Sequence, residues 1–146
     1  FKVHCVAYDP FIDKNILAEF KIKLINFEKL LQLSNIISIH LPLTNETKDL
    51  INKDTFKKMT KSPIIINTSR GSIINEYDLL DSYRENLISG FALDVYEKEP
   101  VEKKFYEQIT NNMNCILTPH IAGVTEESNF RVSKFIAEST IKFFKN

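Results

Sequence analysis

Short apolar runs alternate with amphipathic stretches along the whole chain. Val3 to Tyr8 reads as a short buried strand. Asp9-Pro10 ends it, because proline cannot donate to a ladder and disfavours helix at the residue before it. Ile12 to Phe20 has helical character, Ile22 to Ile25 is a candidate short strand, and Asn26 ahead of Phe27-Glu28-Lys29-Leu30-Leu31 predicts an N-cap and a helix. Ile36-Ile37-Ser38-Ile39-His40, closed by Leu41-Pro42, has the β-branched continuity of a central parallel strand covered on both faces.

The alternation continues downstream. Asn52 predicts the cap of a helix from about Lys53 to Met59, and Pro63 resets the chain into the strand Ile64 to Asn67. Thr68 to Gly71 must then turn. Asn75 with Asp78 predicts a capped helix through about Glu85, followed by the strand Gly90 to Val95. A polar stretch through Glu99-Pro100 leads to a short helix near Phe105 to Ile109 and a strand at Cys115 to Leu117 that Pro119-His120 terminates. From Thr125 a long helix runs to the end, with Phe130, Ile136, Phe143 and Phe144 as its expected apolar anchors. Strands and helices in this order predict an α/β fold of βαβ units, a doubly wound parallel sheet. In such sheets ligands bind beyond the carboxyl ends of the strands. Asp9, His40, Arg70, Asp94 and His120 all fall there, which predicts one site built from five strand ends.

Composition narrows the function classes. The 146 residues make about one domain. Lys and Arg number 19 against 19 Asp and Glu, so the cationic excess that drives nucleic-acid or anionic-membrane binding is lacking. The longest apolar runs, Ile36 to Ile39 and Ile64 to Ile66, are far shorter than the roughly 18 residues of a spanning helix. Phe-Lys-Val-His-Cys-Val-Ala-Tyr-Asp lacks the basic start and apolar run of a signal peptide, and no Met opens the chain, so a cytoplasmic protein entered partway along is expected. Two cysteines, Cys5 and Cys115, cannot make a metal quartet and are expected as reduced, buried thiols; no metal site is expected. Three separated glycines, Gly71, Gly90 and Gly123, exclude both G-x-G-x-x-G and a P-loop from this stretch.

Four blocks carry a resemblance. Ser38-Ile-His-Leu-Pro-Leu-Thr44, Asn67-Thr-Ser-Arg-Gly71, Ala92-Leu-Asp-Val-Tyr96 with Glu99-Pro100, and Thr118-Pro-His-Ile-Ala-Gly123 resemble, in order and spacing, the D-isomer-specific 2-hydroxyacid dehydrogenases of the phosphoglycerate dehydrogenase-like kind. The resemblance runs from the second strand of that family's nucleotide-binding domain into its final helix. It implies a Rossmann-like sheet that is incomplete here, lacking the first βα unit with its Gly-rich loop and the substrate domain. Residues 1–124 would form a partial NAD-binding domain, and residues 125–146 a helix returning toward the substrate domain.

The implied chemistry is hydride transfer between NAD and a small 2-hydroxy or 2-oxo acid. That reaction needs a cation to hold the carboxylate and polarise the carbonyl, and a proton donor near the developing alkoxide. The resemblance makes Arg70 the substrate clamp, His120 the general acid and base, and Glu99 the acid that orients it. A carboxylate beside a histidine favours the imidazolium and fixes the ring. For the cofactor, Asp9 would accept the adenosine-ribose hydroxyls and, with no arginine beside it, favour NAD over NADP. Leu41, Pro42 and Thr47 would line the adenine and pyrophosphate side. Thr68, Ser69 and Arg70 would approach the nicotinamide ribose, Asp94 would accept from the carboxamide, and His120 to Gly123 would pass the ring. A homodimer is implied for the full-length protein.

Plainer readings stand beside these. Asp9 is also an ordinary strand-stopping turn acid, His40 a satisfied strand-end histidine, and His4 structural. Glu97 and Glu99 share one polar loop, and only Pro100 and the family spacing single out Glu99. A non-enzymatic NAD-sensing or partner-binding protein on the same fold is the alternative function, as is a fragment inactive by itself. Arg70, Glu99 and His120 together argue against a pure binder, which needs no acid–base set.

Overall fold

A computed structural model describes residues 2–13, 22–109 and 114–145. Four parallel strands form one sheet in chain order: β3 (Ile36–Ile39), β4 (Ile64–Asn67), β5 (Gly90–Leu93) and β6 (Cys115–Leu117). Ile37 pairs with Ile65, Ile65 with Phe91, and Phe91 with Cys115. A separate two-stranded parallel sheet joins β1 (Val6–Ala7) to β2 (Lys23–Leu24). The strand expected over Val3 to Tyr8 is thus two residues long, since only Val6 and Ala7 are paired with β2. The helix expected over Ile12 to Phe20 falls largely outside them.

The connecting helices begin where local side chains satisfy the first-turn N–H groups. The Lys29 N–H donates to the Asn26 side chain at 2.8 Å and opens α1 (Phe27–Leu33). Asn52 caps α2 (Lys53–Lys57) in a reciprocal box with Thr55. The Asp78 N–H donates to Asn75 and opens α3 (Glu76–Arg84), preceded by a single 3-10 turn over Gly71–Ile73. α4 (Lys103–Ile109) leads toward β6, and α5 (Glu126–Lys145) ends the described chain.

The core forms where the sheet meets the connecting helices. Ile37, Ile65, Phe91 and Leu93 from the strands join Leu31, Phe56, Leu79, Leu80 and Phe105 from the helices in one buried cluster. Each such side chain contributes about 1.5–3 kcal/mol by leaving water. Burial on β3 alternates, with Ile37 and Ile39 inside while Ile36 is 58% exposed and Ser38 is exposed. The expectation that this strand is covered on both faces is therefore corrected: among the described residues nothing covers the face that carries Ile36 and Ser38.

Two further expectations change. The anchors of α5 are not buried: Phe130, Ile136, Phe143 and Phe144 are 57 to 80% exposed, and no residue of that helix is buried. Both cysteines are free, but Cys5 is exposed, because it lies before β1 rather than inside a covered strand. Cys115 is half-buried, and burial pushes its thiol up.

Candidate active site

Three turns at the carboxyl ends of β4, β5 and β6 build the site. After β4, the fully buried Asn67 ties its own turn: Ser69 donates to its Oδ1 from both N–H and hydroxyl, and its Nδ2 donates to the Arg70 carbonyl at 3.0 Å. Arg70 leaves that turn exposed, with Nη1 donating to the Ser69 carbonyl at 2.6 Å. Gly71 follows because nothing larger fits. A Cβ there would meet the backbone carbonyl carbon of Tyr96 at 1.8 Å and the nitrogen of Glu97 at 2.4 Å.

After β5, Asp94 is buried at 4% exposure, and it governs the third turn. Its Oδ1 accepts from the Thr118 hydroxyl at 2.5 Å and the Ile121 N–H at 2.9 Å; its Oδ2 accepts from the Ala122 N–H at 2.9 Å. Burial raises its pKa, but the Thr118 hydroxyl and the N–H groups of Ala122 and Ile121 outweigh that and hold the carboxyl below its ordinary value. This triple bonding supports a strained neighbour. His120 sits at φ 55°, a left-handed conformation that costs an ordinary side chain roughly 1–2 kcal/mol.

The catalytic candidates then converge. His120 Nδ1 lies 2.8 Å from Glu99 Oε2, and the Tyr96 N–H donates to Glu99 Oε1 at 3.2 Å. The hydrogen bond from His120, then that from Tyr96, hold the Glu99 carboxyl below the usual carboxylate range. An ionised carboxylate only accepts, so Nδ1 carries the proton of this bond and Nε2 is the nitrogen left for a ligand. Arg70, Glu99 and His120 line one open cleft of about 250 Å³ with Leu43, Gly71, Ser72, Val95, Tyr96 and Glu97. That volume is too small to enclose a whole dinucleotide.

The remaining cofactor candidates occupy separate local settings, Asp9 beyond the two-stranded sheet and the others in the turns that follow the strands of the main sheet. Asp9 lies just beyond β1, exposed, with Oδ1 accepting the N–H groups of Phe11 and Ile12 at 2.8 and 3.1 Å. It is a turn acid by geometry. His40 exchanges a hydrogen bond with the Ser38 hydroxyl at 2.8 Å. Leu41 is half-buried and Pro42 exposed, and the Thr47 hydroxyl donates to the Pro42 carbonyl at 2.7 Å, which fixes the loop after β3. Thr68 and Gly123 are exposed, and Ser69 is half-buried.

The structure adds residues that sequence reasoning passed over. Besides Asn67, these include Tyr96, whose buried hydroxyl lies 3.0 Å from the Thr118 carbonyl and 3.3 Å from that of Leu93. It joins the ends of β5 and β6. Thr118 and Glu76 act at a distance in sequence, through Asp94 and through the Glu97 N–H respectively. No local pattern announces contacts between residues more than 20 apart. Among the described residues no cluster of three metal-ligating side chains occurs, and no helix is long and apolar enough to cross a membrane.

A parallel sheet with charged side chains gathered at the carboxyl ends of its strands is the arrangement in which open α/β domains bind their ligands. Residues 1–122 match the family model described as D-isomer specific 2-hydroxyacid dehydrogenase, NAD binding domain, and the chain belongs to that family. It is 37% identical to a D-3-phosphoglycerate dehydrogenase of Archaeoglobus fulgidus over 99% of its own length and 27% of the relative. It is 39% identical to a glyoxylate reductase of Aeropyrum pernix over 90% of its length and 38% of that protein. The solved structure of D-lactate dehydrogenase from Aquifex aeolicus, complexed with NAD and lactic acid, superposes with a TM-score of 0.84 at 28% identity, covering 98% of this chain and 46% of that one. The chain thus spans less than half the length of these relatives.

Proposed function

We propose that the full-length protein is an NAD-dependent dehydrogenase that interconverts a small 2-hydroxy acid and its 2-oxo acid. The observation that carries this reading is the Glu99–His120 pair at 2.8 Å in the cleft that Arg70 also lines. A binder needs a cation for an acid, but not a histidine held by a carboxylate.

Bound NADH supplies the hydride for the carbonyl carbon, and NAD accepts it in the reverse direction. Arg70 holds the substrate carboxylate and polarises the carbonyl, as a guanidinium does with two donors in a fork. His120 delivers a proton from Nε2 to the oxygen as it gains charge and takes it back in oxidation. Glu99 fixes the ring by occupying Nδ1. Asp94 keeps the His120 turn in place and retains a lone pair on Oδ2 for a carboxamide N–H. Asp9, Leu41, Pro42, Thr47, Thr68, Ser69 and Gly123 complete the cofactor side of the reading. The fit to NAD rests on the carboxylate at the end of β1 and on the three turns above β4, β5 and β6.

The same reading takes residues 1–124 as part of the nucleotide-binding domain and α5, with its uncovered apolar face, as the helix returning toward a substrate domain. A cytoplasmic homodimer is the setting and assembly that the family resemblance implies. The deciding experiment is NADH oxidation by the full-length protein with pyruvate, glyoxylate or 3-phosphohydroxypyruvate. At least one should turn over, and His120→Ala should lower that turnover by on the order of 10²-fold or more with little change in NAD affinity. Unchanged turnover in the variant would overturn the assignment.

A further inference from the structure

We propose that Glu76 is a positioning residue whose carboxylate fastens the Tyr96–Glu99 loop, and with it the Glu99–His120 pair, to the segment that carries Arg70. The inference deepens the reading given above and rests on it for the roles of those three residues. Its geometry is independent of any ligand. The Glu97 N–H donates to Glu76 Oε1 at 2.6 Å, across 21 positions of sequence. The next peptide upstream is already committed, since the Tyr96 N–H donates to Glu99 Oε1. Two consecutive N–H groups of one loop are thus held by two different carboxylates, one from the helix and one from the loop itself.

A second contact joins the same two segments. Gly71 presses backbone to backbone on Tyr96 and Glu97, leaving no space for a Cβ. The Arg70 side chain departs one residue before that contact and Glu99 lies two residues beyond Glu97, so the Gly71 contact and the Glu76 bond fix their spacing. Gly71, Tyr96, Glu97 and Glu99 form part of the cleft wall. Glu76 can bear this load because its own position is fixed: it is the first residue of α3, behind the Asn75 cap and ahead of Leu79 and Leu80, both at 0% exposure.

The charged groups that face it are Glu97 and Glu102, and Lys98 neutralises Glu102 through an ion pair at 2.6 Å. Burial raises the Glu76 carboxyl above its ordinary value against the Glu97 N–H bond, and the two neighbouring acids add to the rise. Retaining a half-buried acid among acids is unfavourable for stability alone. The role requires an acceptor oxygen at the right place, and a glutamine side chain supplies one.

The test compares Glu76→Ala with Glu76→Gln in the full-length protein. Amide hydrogen exchange at Glu97 and the NMR titration of the His120 ring are read alongside kcat and its pH profile. In Glu76→Ala the Glu97 amide should lose protection, the His120 titration should move, and kcat should fall by about 10- to 100-fold, as a misplacement near 1 Å does. Glu76→Gln should restore all three. The proposal is overturned if Glu76→Ala only lowers the melting temperature while exchange, ring titration and pH profile stay as in wild type. It is equally overturned if Gln and Ala are impaired alike, because charge rather than an acceptor would then matter. Failure of the functional reading shows differently: wild type and His120→Ala would be equally inactive, while exchange at Glu97 would still decide the fastening.

Discussion

His120 Nδ1 lies 2.8 Å from Glu99 Oε2 although the histidine backbone is in the left-handed region at φ 55°. The side-chain bond and the strained backbone are imposed by different residues. Glu99 takes the ring, and Asp94 takes the next two N–H groups. A histidine held from two directions presents Nε2 in one orientation.

The first prediction concerns pH. Glu99 has a folded pKa below its ordinary value, so in that window the unfolded chain binds the proton and the folded chain does not. The pair therefore contributes stability that is complete above the ordinary carboxylate value and is lost as pH falls through the depressed one. Both side chains are more than a third exposed, so the stability contribution is small and the catalytic one should dominate. Glu99→Gln should flatten the acid side of the stability profile slightly and reduce kcat by on the order of 10-fold or more. Thermal melts and kcat measured from pH 4 to 8 check both.

A second prediction separates Asp94 from the charge it carries. Asn at this position keeps one oxygen for Thr118 and Ile121 but turns an NH₂ toward the Ala122 N–H. Two donors then face each other, and the new NH₂, at a position 4% exposed, loses its acceptor at a cost of about 1–3 kcal/mol. Asp94→Asn should lower the melting temperature by several degrees. It should also release the His120 turn and lower turnover. A variant with full stability and full activity would show that the three hydrogen bonds do not hold the loop.

Cofactor choice gives a third. Asp9 is exposed beyond β1, where its side chain accepts from the Phe11 and Ile12 N–H groups of its own turn, and Pro10-Phe11 supplies no adjacent arginine. Full-length protein should prefer NAD, and Asp9→Ala should narrow the gap by removing repulsion of a 2′-phosphate. Kinetics with both cofactors decide it; equal use of NADP by the unmutated protein contradicts the reading.

How much of this was legible in the sequence follows from the range of each interaction. Asn26, Asn52 and Asn75 could be placed as caps because each side chain bonds N–H groups two or three residues on. The four strands of the main sheet were legible from short apolar runs cut by Pro, Gly or Asn, β-branched in β3 and β4. Arg70, Glu99 and His120 were found because they follow strand ends and fit a known spacing. The roles of Glu76, Tyr96 and Thr118 were missed for the converse reason: the bonds Glu76–Glu97, Tyr96–Thr118 and Thr118–Asp94 each span more than 20 residues. The face of α5 was read correctly as apolar, but periodicity says which face wants cover and not what provides it.

The last prediction concerns a polypeptide of these 146 residues alone. In this fold a pyrophosphate rests on the N–H groups of a Gly-rich turn and on the positive end of the helix it opens. The sequence has only Gly71, Gly90 and Gly123, none in such a turn, so several kcal/mol of charge-assisted hydrogen bonding is missing for that group. On the proposed reading Asp9 and Asp94 would reach only peripheral parts of the cofactor. At the same time β1 and β3 each have a ladder on one side only among the described residues, and Phe135, Phe143 and Phe144 on α5 are 70 to 80% exposed. Unpaired parallel edges and an uncovered aromatic face each drive association. The isolated polypeptide should therefore bind NAD weakly and self-associate as its concentration rises. Calorimetric titration with NAD and light scattering on a sample verified by intact mass test both halves: tight NAD binding by a well-behaved monomer would show that neither the Gly-rich turn nor the open edges carry the weight assigned to them.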